Sequence, residues 1–282
     1  MAPLSFRFGT VGSPLSTPKK PGGSFGAVQQ IVVLELSALE LGWVQSVRVT
    51  PETCETIRRQ AETLEVGISV HAPYFINLNA SEVEWPNSRK RLMDAAHYGH
   101  LAGATDIIFH PGSYFERPPE EVLPGAIQRL RGCVEELRDA GNPVIIRPET
   151  MGKIAMLGSF EDTLAMSAAI PGVLPCLDFA HLHARAGDGS MNTQAEWTAR
   201  LIAYASVLGE ASLQHLHVHL SGIEYNAKGE RKHLPLKESD LDLQALFAAL
   251  TQMNCGGRIL CESPLMEEDA LTMRDLWRTL NT

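Results

Sequence analysis

Cysteine is scarce in this 282-residue chain, and its five copies (Cys54, Cys133, Cys176, Cys255 and Cys261) are odd in number, scattered and never spaced as C-x-x-C. That pattern excludes a disulfide scaffold or a cysteine zinc ribbon and sets the expectation of a cytoplasmic protein. There is no run of ~18 apolar residues and no charged-then-apolar leader at the start, so neither a membrane span nor a secretory signal is expected. Basic excess is also lacking, with 24 Lys and Arg against 33 Asp and Glu, a net charge of −9. A general nucleic-acid coat is thereby excluded, because such binding needs Lys and Arg to release counterions from phosphates. A local phosphate site is still open, since bound divalent cations concentrate positive charge in one cleft. No G-x-S-x-G and no Ser-His-Asp pattern supplies a side-chain nucleophile. Low-complexity tracts and close repeats are missing too, and the Pro/Gly/Ser-rich stretch GSPLSTPKKPGGS at 12–24 reads as a loop.

Alternation of short β-like runs with longer helix-like runs fills the rest of the chain. Candidate strands are SFRFGT (5–10), ALELGW (38–43), GISVHA (67–72), DIIFHP (106–111), PVIIRPE (143–149), VLPCLD (173–178), LQHLHVHL (213–220) and GRILCE (257–262). Between them, Thr50-Pro51 opens one helix with a cap and a first-turn proline, the run from Pro118 closes on Gly141, and Ser239 precedes DLDLQALFAALTQM. Eight strands each followed by a helix predict a (β/α)8 TIM barrel, α/β in class, forming a single domain over 1–282.

Side chains alternate along a strand, so residues two apart share a face. That parity turns Ile107 and Phe109 toward the covering helices and His110 inward, and it sends His71, Arg147, Glu149, Asp178, His219 and Glu262 inward at the ends of their strands. Barrel enzymes build their active sites at this C-terminal mouth. Buried carboxylates and imidazoles facing one another unpaired cost several kcal/mol each, and divalent ions remove that cost. The donor set suits zinc, with manganese or iron as alternatives. Any one histidine at a strand end is more often structural, but five strands ending alike favour ligation. His215 and His217, deeper on the seventh strand, read as barrel filling, and His97 and His100 as helix surface. His183 is open between supporting a ligand and lying in a solvated loop. Glu40, inward on the second strand, either supports a ligand or pairs with Arg147.

The segments HAPYFIN (71–77), FHPG (109–112), PET (148–150), DFAH (178–181), HLSG (219–222), KHLPL (232–236) and CESP (261–264) occur in an order and spacing that resembles the endonuclease IV family of apurinic/apyrimidinic endonucleases. The resemblance covers about the whole chain, and the loop GIEYNAKGERKHLPL is similar to the archaeal-type branch. It implies a zinc-dependent TIM barrel with two or three ions, cutting double-stranded DNA 5′ to an abasic site through a bridged metal hydroxide and leaving a 3′-hydroxyl. His71, His110 and Glu149 would hold one ion; Glu149, with Glu262 one of the catalytic carboxylates, would bridge to a second held by Asp178, His219 and Glu262. His181 and His233 would hold a third, and Tyr74 and Phe75 would contact DNA at the lesion. The family pattern has Asp two residues before the last histidine, where this chain has Arg231; Glu230, one residue earlier, is the expected substitute, leaving Arg231 for DNA. Lys19, Lys20, Arg48, Lys153, Arg185, Lys228 and Lys232 also fall in loops expected at the catalytic end. A monomer with no membrane partner is expected. Two alternatives remain: a sugar isomerase or epimerase of the related barrels, with one ion on Glu149, Asp178, His219 and Glu262, and a non-cleaving binder of damaged DNA.

Overall fold

The computed structural model describes residues 6–281; Ser5, which heads the first expected strand, lies outside the described residues. In chain order the first half comprises β1 (Phe6–Val11), α1 (Gly23–Val33), β2 (Ala38–Gly42), α2 (Pro51–Thr63), β3 (Gly67–His71), α3 (Trp85–Leu101), β4 (Ala104–Phe109) and α4 (Pro119–Asp139). The second half comprises β5 (Ile145–Pro148), α5 (Phe160–Ala169), β6 (Cys176–Asp178), α6 (Phe179–Ala186), α7 (Gln194–Leu208), β7 (Leu216–Leu220), β8 (Gly222–Asn226), β9 (Gly229–Leu234), α8 (Leu243–Gln252), β10 (Gly257–Cys261) and α9 (Glu267–Leu280).

Eight parallel strands run in the order β5-β4-β3-β2-β1-β10-β7-β6. The circuit is nearly closed by bridges from Ile146 to Val173 and from Glu149 to Cys176, with Thr150 N donating to Cys176 O at 3.0 Å. It is the TIM barrel expected. Outward faces carry apolar side chains that pack on the helices: Phe6 meets the Trp277 ring of α9 edge-on, and Phe8 meets Phe247 of α8. Helix starts follow local chemistry. Thr50 Oγ1 accepts from Thr53 N, and Ser159 with Asp162 forms a capping box that satisfies the Ser159 and Asp162 N–H groups at the start of α5. Gly141 sits just past α4 at φ 71, a backbone setting that glycine adopts freely.

Several expectations are corrected. The sixth strand shrinks to three residues, with Pro175 preceding it as a residue that cannot donate to a ladder. The seventh begins only at Leu216 because Glu210–His215 forms a 3-10 helix, which leaves His215 exposed outside the barrel rather than filling it. Ser239 does not cap α8; Asp242 does, accepting from Ala245 N at 2.9 Å. The loop GIEYNAKGERKHLPL is an antiparallel hairpin, β8–β9. Among the described residues no helix is long and apolar enough to cross a membrane.

The barrel interior is layered. At the N-terminal end, Arg147 Nε donates to Asp106 Oδ1, and Arg258 reaches Asp106 Oδ2 at 3.1 Å. Glu40 is therefore not the partner of Arg147. It forms the next layer with Ser69 Oγ (2.8 Å) and His217 Nε2 (2.9 Å), which makes His217 a barrel-filling residue. Burial pulls the His217 imidazole down to about 4, so it is neutral at pH 7. Burial works against ionisation of Asp106, but Arg147 and Arg258 outweigh it and hold the carboxyl well below the usual range. A depressed carboxylate contributes stability above its unfolded pKa of ~3.9 and loses it as pH falls further. Asp106→Asn is expected to cost about 3–5 kcal/mol at pH 7, read from urea unfolding, and to shrink the stability difference between pH 7 and pH 3.

Candidate metal centre

Strand parity delivers the ring of side chains at the C-terminal mouth. His71 ends β3, His110 and Glu149 each follow the last residue of β4 and β5, Asp178 ends β6, His219 lies in β7, and Glu262 follows β10. The spacing of DFAH has a specific cause. Asp178 is the N-cap of α6, and its Oδ1 accepts from His181 N at 2.6 Å, which puts the His181 ring in the first helical turn above the same mouth. Thr150, which sequence reasoning passed over, fixes this corner: its Oγ1 accepts from Asp178 N at 2.8 Å.

Glu149 lies at the centre with no solvent exposure. Its Oε2 faces His71 Nε2 at 3.2 Å and His110 Nε2 at 3.3 Å, while its Oε1 faces His181 Nδ1 at 3.3 Å and His219 Nδ1 at 3.5 Å. Donor atoms of His71, Glu149, His219 and Glu262 lie within 4.8 Å of one another, and so do those of Asp178, His181 and His233. This grouping departs from the one the resemblance implies, which placed Asp178 with His219 and Glu262. His110 stands at the rim of the first group, and Glu230 Oε2 lies 3.6 Å from His181 Nε2 beside the second.

Three tests on this geometry say that cations fit. First, the histidines are oriented from behind: His71 Nδ1 sits 2.9 Å from Ala72 O, His181 Nδ1 2.9 Å from Thr150 O, and His233 Nδ1 3.2 Å from Glu262 O. His219 Nε2 stands 3.0 Å from Glu40 Oε1, an ion-pair contact without hydrogen-bond alignment that sets Glu40 directly below this histidine. A ring N–H placed on a carbonyl or carboxylate leaves the other nitrogen a bare lone pair aimed inward. Second, His181 Nε2 and His233 Nε2 are 3.2 Å apart, close to the ~3.3 Å that separates nitrogens bound tetrahedrally to zinc. Third, Glu149 Oε1, Asp178 Oδ2 and His219 Nδ1 are buried without a hydrogen-bond partner among the described residues.

Electrostatics agree. Burial opposes ionisation of Glu149, yet His110, His219 and His181 hold its carboxyl well below the usual range. Burial pushes Asp178 the other way, up to about 6, with Glu262 and Glu149 adding to the rise against His181. The two carboxyls thus compete for the positive charge of the same imidazoles. Cys176 Sγ also approaches His217 and His219, but burial raises its thiol far above neutrality, which leaves that trio structural.

The hairpin explains the position occupied by Arg231. Pairing runs Glu224 to Lys232 and Tyr225 to Glu230, so Arg231 is an extra, unpaired residue: a β-bulge. One inserted residue reverses strand parity, so Glu230 and His233, three apart, face the centre together. Arg231 instead turns outward, with its guanidinium 3.4 Å from Glu224. Gly152 allows the close approach, since a Cβ there would meet Glu230 Cβ at 2.7 Å. His183 is buried in α6 and bonds Ser190 O and Asp240 Oδ1, touching no ligand candidate and lying in no loop. His97 and His100 are exposed on α3. Arg185 lies in α6, where its guanidinium ties down the carbonyls of Met151, Lys153, Ile154 and Met156, not in a loop. At the rim, the Tyr74 ring stacks on His110 and Phe75 is 59% exposed.

The sequence-family model described as a xylose isomerase-like TIM barrel matches residues 28–280. An uncharacterised protein of Methanocaldococcus jannaschii is 34% identical over 274 residues, 97% of each chain. A probable endonuclease 4 of Oceanobacillus iheyensis is 29% identical over 173 residues, which span 58% of this chain and 55% of that one. Among solved structures, endonuclease IV from Thermus thermophilus aligns with TM-score 0.73 at 22% identity, over 97% of this chain and 98% of that one. A D-tagatose 3-epimerase-like protein aligns with the same TM-score, 0.73, at 18% identity, over 97% of this chain and 96% of that one. At these identities the structural matches speak for the fold. The chain belongs to the xylose isomerase-like TIM barrel family, where its sequence relatives include the endonuclease IV proteins.

Proposed function

We propose that this protein is a DNA-repair endonuclease that hydrolyses the phosphodiester bond 5′ to an abasic site in double-stranded DNA and leaves a 3′-hydroxyl, using two or three zinc ions for which manganese or iron can substitute. The observation that supports the reading most is the adjacency of two buried donor groups, His71, Glu149, His219 and Glu262 beside Asp178, His181 and His233, with Glu149 Oε1 3.3 Å from the His181 ring at their boundary. A carboxylate so placed joins two adjacent groups of donors, the arrangement suited to clamping a phosphodiester from both sides. Bound zinc would lower the pKa of water and offset the charge that builds up on the phosphoryl oxygens. The chain's own residues set the rest. Glu149 and Glu262 fix the spacing of the two groups, and Asp178, His181, His233 and Glu230 complete the outer one. Tyr74 and Phe75 would offer ring faces for stacking beside the lesion, and Arg231 and Lys232 on the hairpin, both beside Glu224, would meet backbone phosphates.

A sugar isomerase with one ion on Glu149, Asp178, His219 and Glu262 leaves His181, His233 and Glu230 without a task. A non-cleaving DNA binder leaves the buried donor ring unexplained. The deciding experiment incubates purified monomer with a duplex bearing one abasic site, resolves the strands on a denaturing gel, and assays ketohexose epimerisation in parallel. Incision 5′ to the site is expected; epimerisation without incision, or binding without it, would overturn the proposal.

Chelation should stop incision and lower the melting temperature, because ions bound only by the folded state stabilise it by mass action, and zinc should restore both. Glu149→Gln should cut the incision rate on the order of 10³-fold, about 4 kcal/mol, while circular dichroism stays native. Glu230→Gln should lower the metal content by about one ion per chain. Arg231→Ala should leave that content unchanged and flatten the salt dependence of DNA binding by about one phosphate contact, as fluorescence anisotropy would show.

A further inference from the structure

The N-terminal mouth of the barrel, remote from the metal centre, opens into a cavity of about 460 Å³ lined by Arg7, Asp106, Arg147, His215 and Arg258. Three guanidinium groups from β1, β5 and β10 line it with one carboxylate from β4, which touches only Arg147 and Arg258, so two of the three positive charges go uncompensated there. The register makes the crowding unavoidable: Arg7 and Arg258 are direct Cα partners on neighbouring parallel strands. Phe6 and Phe8 pack outward on α9 and α8, so Arg7 between them is turned to the barrel side.

The single carboxylate is already used. Asp106 Oδ1 accepts from Arg147 Nε, and Asp106 Oδ2 takes Arg258 at 3.1 Å together with the Thr105 hydroxyl. Arg147 is completed by Pro175 O at 2.9 Å and His215 O at 3.0 Å. Arg258 adds Ile68 O at 3.2 Å and Thr105 Oγ1 at 2.8 Å, and retains free N–H groups on its fork. Arg7 has one hydrogen bond, to Glu65 O at 2.9 Å, and no carboxylate partner among the described residues. Like charges held side by side in a partly buried pocket are costly unless an anion joins them.

We propose that this mouth is a binding site for a phosphate group, free or as a phosphomonoester, held between Arg7 and Arg258. A phosphate dianion matches the two uncompensated charges, and guanidinium forks match its oxygen geometry. The cavity has room for the small organic group of a monoester. Active-site loops lie at the other end of the barrel, so this site is separate from the proposed DNA phosphodiester contacts.

The test is equilibrium dialysis of the zinc-loaded protein with radiolabelled inorganic phosphate, comparing wild type with Arg7→Gln and Arg258→Gln, because phosphate can also meet the zinc ions. Wild type is expected to bind one more phosphate per chain than either variant, with unchanged incision of abasic DNA by Arg7→Gln. Arg7 is exposed and lightly bonded, so its variant folds even where Arg258→Gln destabilises. Competition with ribose 5-phosphate then identifies the source: tighter displacement than by unlabelled phosphate assigns a monoester, and equal displacement assigns the free ion. Identical stoichiometry and affinity in wild type and Arg7→Gln would overturn the site, whether or not the protein cuts DNA.

Discussion

Carboxylates and imidazoles are crowded at the C-terminal mouth within ion-pair distance of one another, and the neutralisation of that crowding is the constraint on which the rest of the barrel depends. Glu149, Asp178 and Glu262 share this space with His71, His110, His181, His219 and His233, and the partners behind the ring make sense only as aids to that crowding. Ala72 O, Thr150 O and Glu262 O each take a ring nitrogen, so that the opposite lone pair points to the centre. Glu40 lies 3.0 Å from His219 Nε2 while tying His217 and Ser69 into the layer below. The candidate ligands are thereby held at fixed distances, which would lower the reorganisation that binding an ion requires.

The barrel also has polarity along its axis. Acidic groups concentrate at the mouth where the strands end, and guanidinium groups at the mouth where they begin, with the neutral His217 layer between. Strands in a barrel this narrow cannot leave their inward positions to water, so each layer satisfies itself by hydrogen bonds or by ions. That requirement accounts for the Asp106–Arg147–Arg258 cluster as well as for the ring above it.

Much of this was legible because period two is a local property. The inward turn of His71, His110, Glu149, Asp178, His219 and Glu262 follows from counting by two along apolar runs, and the TIM barrel follows from counting the runs. Asp106 was within reach by the same rule, since it shares parity with His110, but which partner Arg147 takes depends on which strands lie across the barrel, so of the two roles open to Glu40 the one beside a candidate ligand holds and the pairing with Arg147 does not. His215 failed because a 3-10 turn breaks the parity just before β7. The division of donors into two groups was illegible, because it is set by how the sheet closes between β5 and β6. The hairpin bulge was illegible for a different reason: an unpaired Arg231 is visible only once both strands are in register.

The seam between the hairpin and the barrel has a kinetic meaning. Glu230 N donates to Gly152 O at 2.9 Å, and a Cβ on Gly229 would lie 2.2 Å from that same oxygen, so two backbones touch where side chains would separate them. The inner donor group comes from strands alone and assembles when the barrel closes. The outer group stays incomplete until β8–β9 folds down onto this glycine contact and brings His233 to His181. Local opening of the ribbon would therefore take the outer donor group apart while leaving the inner one, which the sheet alone holds, in place.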